Sequence, residues 1–100
     1  MDHTQEITAP LEHACYAGHF PGQPIVPGVV LLDWIVAALD RGPPRVFGSV
    51  KFHRAVRPGD AFTLQYRVTG SQVIFRCVRR GQVLVEGNVS FDDQPMPVAT

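Results

Sequence analysis

Residues 29–39 read VVLLDWIVAAL, a stretch in which Asp33 is the only polar side chain. Pro27 suits the first turn of a helix, and Asp40, Arg41, Gly42 and Pro43-Pro44 supply the stop. A three-turn helix that is apolar on every side needs other structure around it. The stretch is also far short of the ~20 apolar residues that cross a bilayer, so no membrane span is expected.

What surrounds the helix is legible downstream, where apolar residues recur at the strand period of two. Val46, Gly48, Val50 and Phe52 share one phase, and Phe62, Leu64, Tyr66 and Val68 the next. Val73, Phe75 and Cys77 follow, then Val83, Val85, Gly87, Val89 and Phe91. The breaks at 57–60 (RPGD), 69–72 (TGSQ) and 79–82 (RRGQ) are spaced as tight turns between antiparallel neighbours. A weaker strand is expected at about Glu6 to Leu11. The predicted architecture is α+β, one long helix enclosed by a curved antiparallel sheet. A sheet this short covers one face of the helix only, which makes a dimer the economical way to cover the rest.

The chain has 100 residues, of which 45% are hydrophobic and 18% charged, the usage of a single globular domain rather than a disordered arm. Its zero net charge hides an uneven layout. Residues 1–40 hold five acids and no Lys or Arg, whereas residues 41–80 hold all nine bases against Asp60. An acidic partner should meet that middle segment, while neutral balance and the lack of a binding motif argue against nucleic acid. Cys15 and Cys77 form no metal-ligand or redox motif, and no histidine has zinc-site spacing, so neither metal nor cofactor is expected. No signal-peptide pattern opens the chain, which reads as cytoplasmic with free thiols.

Asp33 is the first candidate for chemistry. A carboxylate on an apolar helix is costly unless it faces solvent, is hydrogen-bonded or is protonated. It reads either as an acid that faces a solvated edge or bonds a backbone amide, or as a proton donor set among apolar neighbours. His19 is the second. It closes a Gly-flanked loop just before the stretch stiffened by Pro21, Pro24 and Pro27, and imidazole suits proton abstraction near neutral pH. His3, His13 and His53 read as structural or partner-facing.

The string GHFPGQPIVPGVVLLD, residues 18–33, resembles the active-site segment of the β-hydroxyacyl-acyl-carrier-protein dehydratases of the FabA/FabZ type, which have the hot-dog fold. His19, Phe20, Gly22, Pro24, Pro27, Gly28 and Asp33 stand at that family's motif positions. FGSVKFHRAVRPGD, residues 47–60, is similar to its next strand and Pro-Gly-Asp turn. The chain looks like a minimal version, closest to the small dehydratase-like proteins of aryl-polyene pathways. Its acid is Asp, as in the FabA branch. One turn later, where both branches usually carry Gln, it has Ala37.

The resemblance implies dehydration of a 3-hydroxyacyl thioester to the trans-2-enoyl thioester in fatty-acid or polyene-type synthesis. His19 would be the base at C2, and Asp33 would manage the proton at the C3 hydroxyl. The Gly28 N–H, at the helix start, would hold the thioester carbonyl. His19 and Asp33 would meet across a homodimer interface. Higher assembly, or a heterodimer with a homologue, is left open. Phe20, Val26, Val30, Trp34 and Phe52 are candidates for a substrate tunnel, with ordinary core packing as the alternative. Lys51, Arg54, Arg57, Arg79 and Arg80 are candidates for the landing surface of an acyl carrier protein bearing the substrate. A hot-dog thioesterase and a non-catalytic subunit paired with an active homologue are the alternatives to a dehydratase.

Overall fold

A computed structural model describes residues 2–14 and 24–92. Seven elements follow in order: β1 (His3–Thr8), α1 (Gly28–Leu39), β2 (Pro44–Phe47), β3 (Lys51–Phe52), β4 (Ala61–Thr69), β5 (Gln72–Arg79) and β6 (Gln82–Phe91). The strands form one antiparallel sheet in the order β1-β4-β5-β6-β2, with β3 also paired to β6.

The helix begins where Pro27 acts as N-cap and ends where Asp40 turns left-handed, its N–H reaching the Val36 carbonyl at 3.2 Å. Leu31, Ile35 and Leu39 are buried along one row, and Val29, Asp33 and Ala37 form an exposed row on the opposite side. Successive members of each row are four residues apart, the spacing that stacks side chains along one helix face. The buried row packs with Phe62, Leu64, Val73, Phe75, Val85 and Val89 in a single core.

The other face of the sheet is polar. Thr63 donates to Glu6 at 2.6 Å, Arg67 to Asp2 at 3.1 Å and Arg76 to Gln65 at 2.7 Å, all exposed. One face packed and one wetted is the usual economy of an antiparallel sheet.

Four expectations need correction. The N-terminal strand lies at His3–Thr8 rather than Glu6 to Leu11. Ala9 still exchanges backbone bonds with Asp60 and Gly59, but Pro10 has no N–H to extend the ladder and Leu11 is exposed. The expected strand from Val46 to Phe52 is two short ones, because the backbone at Ser49 and Val50 passes over Gly87 of β6. A Cβ at Gly87 would lie 2.7 Å from the Ser49 carbonyl oxygen. The RPGD turn does not join neighbours, since β3 pairs with β6 and not with β4.

The alternation in β6 also breaks. Its register shifts between Cys77 and Val78, so Leu84 is extra and both Leu84 and Val85 are buried. The Leu84 carbonyl, freed from the β5 ladder by this bulge, accepts the N–H groups of His53 at 2.8 Å and Arg54 at 3.2 Å. The bulge thus fixes where β3 ends beside the helix start.

Gly87→Ala should be costly, because the obstructing atom is backbone and cannot swing aside. The expected loss is about 1–3 kcal/mol, typical of overpacking. Thermal melting should show it as a fall of several degrees.

Candidate active site

The start of α1 is chemically open. Pro27 has no N–H, and its carbonyl already accepts from Val30 and Leu31, each at 3.0 Å. The N–H of Gly28 has no acceptor among the described residues, and neither a side-chain cap nor a first-turn acid competes for it. Such a helix start favours an anion or a polarised carbonyl.

In front of it lies an open cleft of about 480 Å³ lined by Ile25, Val26, Gly28, Leu31, Phe52, His53, Arg54, Ala55 and Val56. Val26 is held there by its N–H bond to the Val56 carbonyl at 2.7 Å. Phe52, half-exposed, lays its ring tip against Gly28, and a Cβ on Gly28 would stand 2.8 Å from its Cζ. Glycine is what lets the ring and the helix start share this corner.

Of the residues singled out in the sequence, Gly28, Val26 and Phe52 are therefore brought together. Asp33 stands on the exposed row of α1, flanked by Val29 and Ala37. Its carboxylate meets solvent in the single chain, the solvated-edge case among the two readings of the sequence. Val30 and Trp34 are half-buried on a flank of the helix and do not line the cleft. Trp34 meets the His13 ring edge-on, with centroids 5.6 Å apart. His19 and Phe20 lie outside the described residues.

A second cleft, of about 420 Å³, adjoins the first. Its lining shares His53, Arg54 and Ala55 with the first and adds Arg57, Arg79, Arg80, Gln82 and Leu84. Four of the five expected docking residues meet here. Lys51 does not, because strand alternation sends it to the polar face opposite Glu86. The four arginines are not equivalent. Arg79 reaches Asp60 at 3.4 Å, and Asp60 also accepts the Arg57 N–H at 2.8 Å, so this carboxylate ties the RPGD turn to the β5–β6 hairpin. The guanidinium groups of Arg54, Arg57 and Arg80 have no partner among the described residues.

His53 bridges the two clefts and bonds Glu86 through Nε2 at 2.8 Å. The sequence reads this histidine as structural or partner-facing, and its place between the two clefts is set by the fold. Cys77 is wholly buried and its thiol is pushed up to about 12 by that burial, which removes it as a nucleophile. No helix among the described residues is long and apolar enough to cross a membrane.

Residues 2–88 match the model of the ApeI-like family, described as ApeI dehydratase, and the chain belongs to that family. It is 41% identical over 71 residues to the 3-hydroxyacyl-[acyl-carrier-protein] dehydratase FabZ of Latilactobacillus sakei subsp. sakei, covering 59% of this chain and 49% of that one. With the FabZ of Chlamydia trachomatis it shares 32% identity over 95 residues, 76% of this chain and 62% of that one. The chain thus spans about half to three-fifths of the length of these curated relatives.

Among solved structures it is similar to the dehydratase heterocomplex ApeI:P of Xenorhabdus doucetiae. The TM-score is 0.76 at 23% identity, covering 87% of this chain and 83% of that one. It is also similar to an uncharacterised protein of Erwinia carotovora subsp. atroseptica, with TM-score 0.71 at 21% identity over 87% and 79% of the two chains. At these identities the likeness is one of fold. The helix against a curved antiparallel sheet is the hot-dog fold expected from the sequence.

Proposed function

We propose that this chain dehydrates a 3-hydroxyacyl thioester carried on an acyl carrier protein, releasing water and the trans-2-enoyl thioester, and that it does so in the cytoplasm. The observation that carries the reading is the unpaired helix start at Gly28, opening into an apolar cleft, on the helix whose lone acid is Asp33. Membership in the ApeI-like dehydratase family supports it. So does the similarity to the FabZ dehydratases of Latilactobacillus sakei subsp. sakei and Chlamydia trachomatis.

The reaction runs as follows. The thioester carbonyl accepts the Gly28 N–H, which stabilises the charge that develops there as His19 removes the C2 proton. The electron pair returns from the oxygen to form the C2–C3 double bond, and the C3–O bond breaks. Asp33 delivers the departing hydroxyl its proton, directly or through a water molecule. One proton is taken and one given, so the pair needs only an internal transfer to reset.

Two copies of the chain complete each site in this reading. Val29, Asp33 and Ala37 form the uncovered row of the helix, and two of the three are apolar. The outer sheet face carries polar pairs, so a second copy gains more by seating on the helix side. The acyl chain lies along Val26, Phe52 and the rest of the apolar cleft, and the carrier protein seats on the neighbouring arginines.

A non-catalytic subunit is the one other reading with an observation behind it. Ala37 stands on the same helix face as Asp33, one turn on, and offers no group to orient the carboxyl. One assay separates the cases. Incubation with a 3-hydroxyacyl thioester should give the 2-enoyl product. Free acid would identify a thioesterase, and neither product a chain that needs a catalytic partner.

A further inference from the structure

The tip of the β5–β6 hairpin is built against its own sequence preference. Arg79 and Gln82 face one another in the register, leaving Arg80 and Gly81 as the two central residues of the turn. Their φ values are 51° and 76°, the paired positive angles of the primed turns that suit right-handed sheet twist. Glycine takes such an angle freely, whereas any other residue sets its Cβ against the following carbonyl, a cost that asparagine partly offsets by hydrogen-bonding locally through its short polar side chain. The other hairpin in the sheet obeys the rule, with Gly70 at φ 62° in the first central position. Among the described residues the only other non-glycine at positive φ is Asp40, a short polar side chain at a helix end.

The Arg80 side chain kept at this strained position bonds no other described residue. Arg80 lines the 420 Å³ cleft together with Arg54 and Arg57, and the guanidinium groups of all three are without a partner among the described residues. Asp60, the acid in that neighbourhood, is already held by Arg79 and by the Arg57 N–H. Backbone strain therefore falls on a residue that adds positive charge to this cleft, and asparagine would both ease the strain and remove the charge. Strain held at a residue of this kind points to function rather than to stability. The cleft shares His53, Arg54 and Ala55 with the apolar cleft at Gly28, so an anionic surface seated here would stand beside the place where a thioester must enter.

We propose that Arg80 is a recognition residue for the acidic carrier protein, held in the left-handed conformation so that its guanidinium completes the landing surface with Arg54 and Arg57. This rests on the carrier-docking reading above and assigns the hairpin tip a part in it that costs stability.

The test pairs two measurements with expected effects of opposite benefit. Arg80→Asn should weaken binding of a 3-hydroxyacyl-loaded acyl carrier protein, measured by titration calorimetry at low salt, by roughly three- to five-fold. The same variant should melt higher than the parent by roughly 2–6 °C. Arg80→Lys, which keeps both the charge and the strained position, should hold the parent affinity within about two-fold and gain no melting temperature. Unchanged carrier affinity in Arg80→Asn, with affinity lost in Arg54→Glu and Arg57→Glu, would overturn the role of Arg80 alone. A lowered melting temperature in Arg80→Asn would overturn it too, because the arginine would then be supporting the fold. If none of the four variants alters carrier affinity, the docking reading itself fails.

Discussion

Asp33→Asn is expected to lower dehydration of a 3-hydroxyacyl thioester by roughly 10²- to 10⁴-fold, the range a positioned acid or base contributes. Asparagine keeps the size and one oxygen of the carboxylate but cannot release a proton to a departing hydroxyl. The fold of the single chain should barely change, because the side chain is exposed there and bonds no other described residue. A variant that keeps the parent fold and the parent's sedimentation behaviour yet loses turnover therefore assigns the loss to chemistry. His19→Ala should give a comparable loss for the opposite reason, the missing base at C2. Mixing the two inactive proteins tests the shared site directly. If His19 of one copy works with Asp33 of the other, random exchange leaves one sound site in each mixed dimer, and roughly a quarter of parent activity returns. No recovery, or sedimentation of an active monomer, would place both residues in one chain. Retention of most activity by Asp33→Asn would make the acid a solubilising residue on the helix.

Charge reversal at Arg54 and Arg57 should act on a different step. Both side chains are exposed and without a partner among the described residues, so Arg54→Glu and Arg57→Glu together should leave the fold near the parent stability. What changes is the field that an acidic carrier meets as it approaches. The expected result is a drop of roughly five- to ten-fold in turnover of the carrier-linked substrate at low salt, with a much smaller effect on a short thioester mimic. The gap should narrow as salt is raised, since exposed charges are screened over about 8–10 Å at ~0.1–0.15 M. Equal losses on the two substrates would mean that the arginines shape the pocket rather than receive the carrier. Arg79 is the informative control. Its guanidinium is committed to Asp60, so Arg79→Gln should cost melting temperature first, by loosening the bond between the RPGD turn and the hairpin.

Much of this molecule could be read from one dimension because the signals were local. An apolar run of helical length, bounded by Pro27 and by Gly42 with two prolines, can only be a packed helix, and β4, β5 and most of β6 alternate cleanly because one face is buried and one wet. The candidate chemistry was local as well. Asp33 drew notice as the single acid on that helix, and the residues 18–33 motif carried the family resemblance that the match over residues 2–88 bears out.

What only the tertiary structure decided were the features set by contacts between distant residues. β2 and β3 part where the backbone of residues 49 and 50 runs across Gly87, a close approach that glycine permits and that is invisible along the chain. The bulge at Leu84 shifts the phase of β6 and, by freeing a carbonyl, anchors His53 and Arg54 beside the helix start. Of five bases that looked alike in sequence, alternation sent Lys51 to the far face and Asp60 claimed Arg79. Arg54, Arg57 and Arg80 were left around one cleft. Composition determined how much charge the middle of the chain would carry, and the pairing register determined which of those charges remain free to meet a partner.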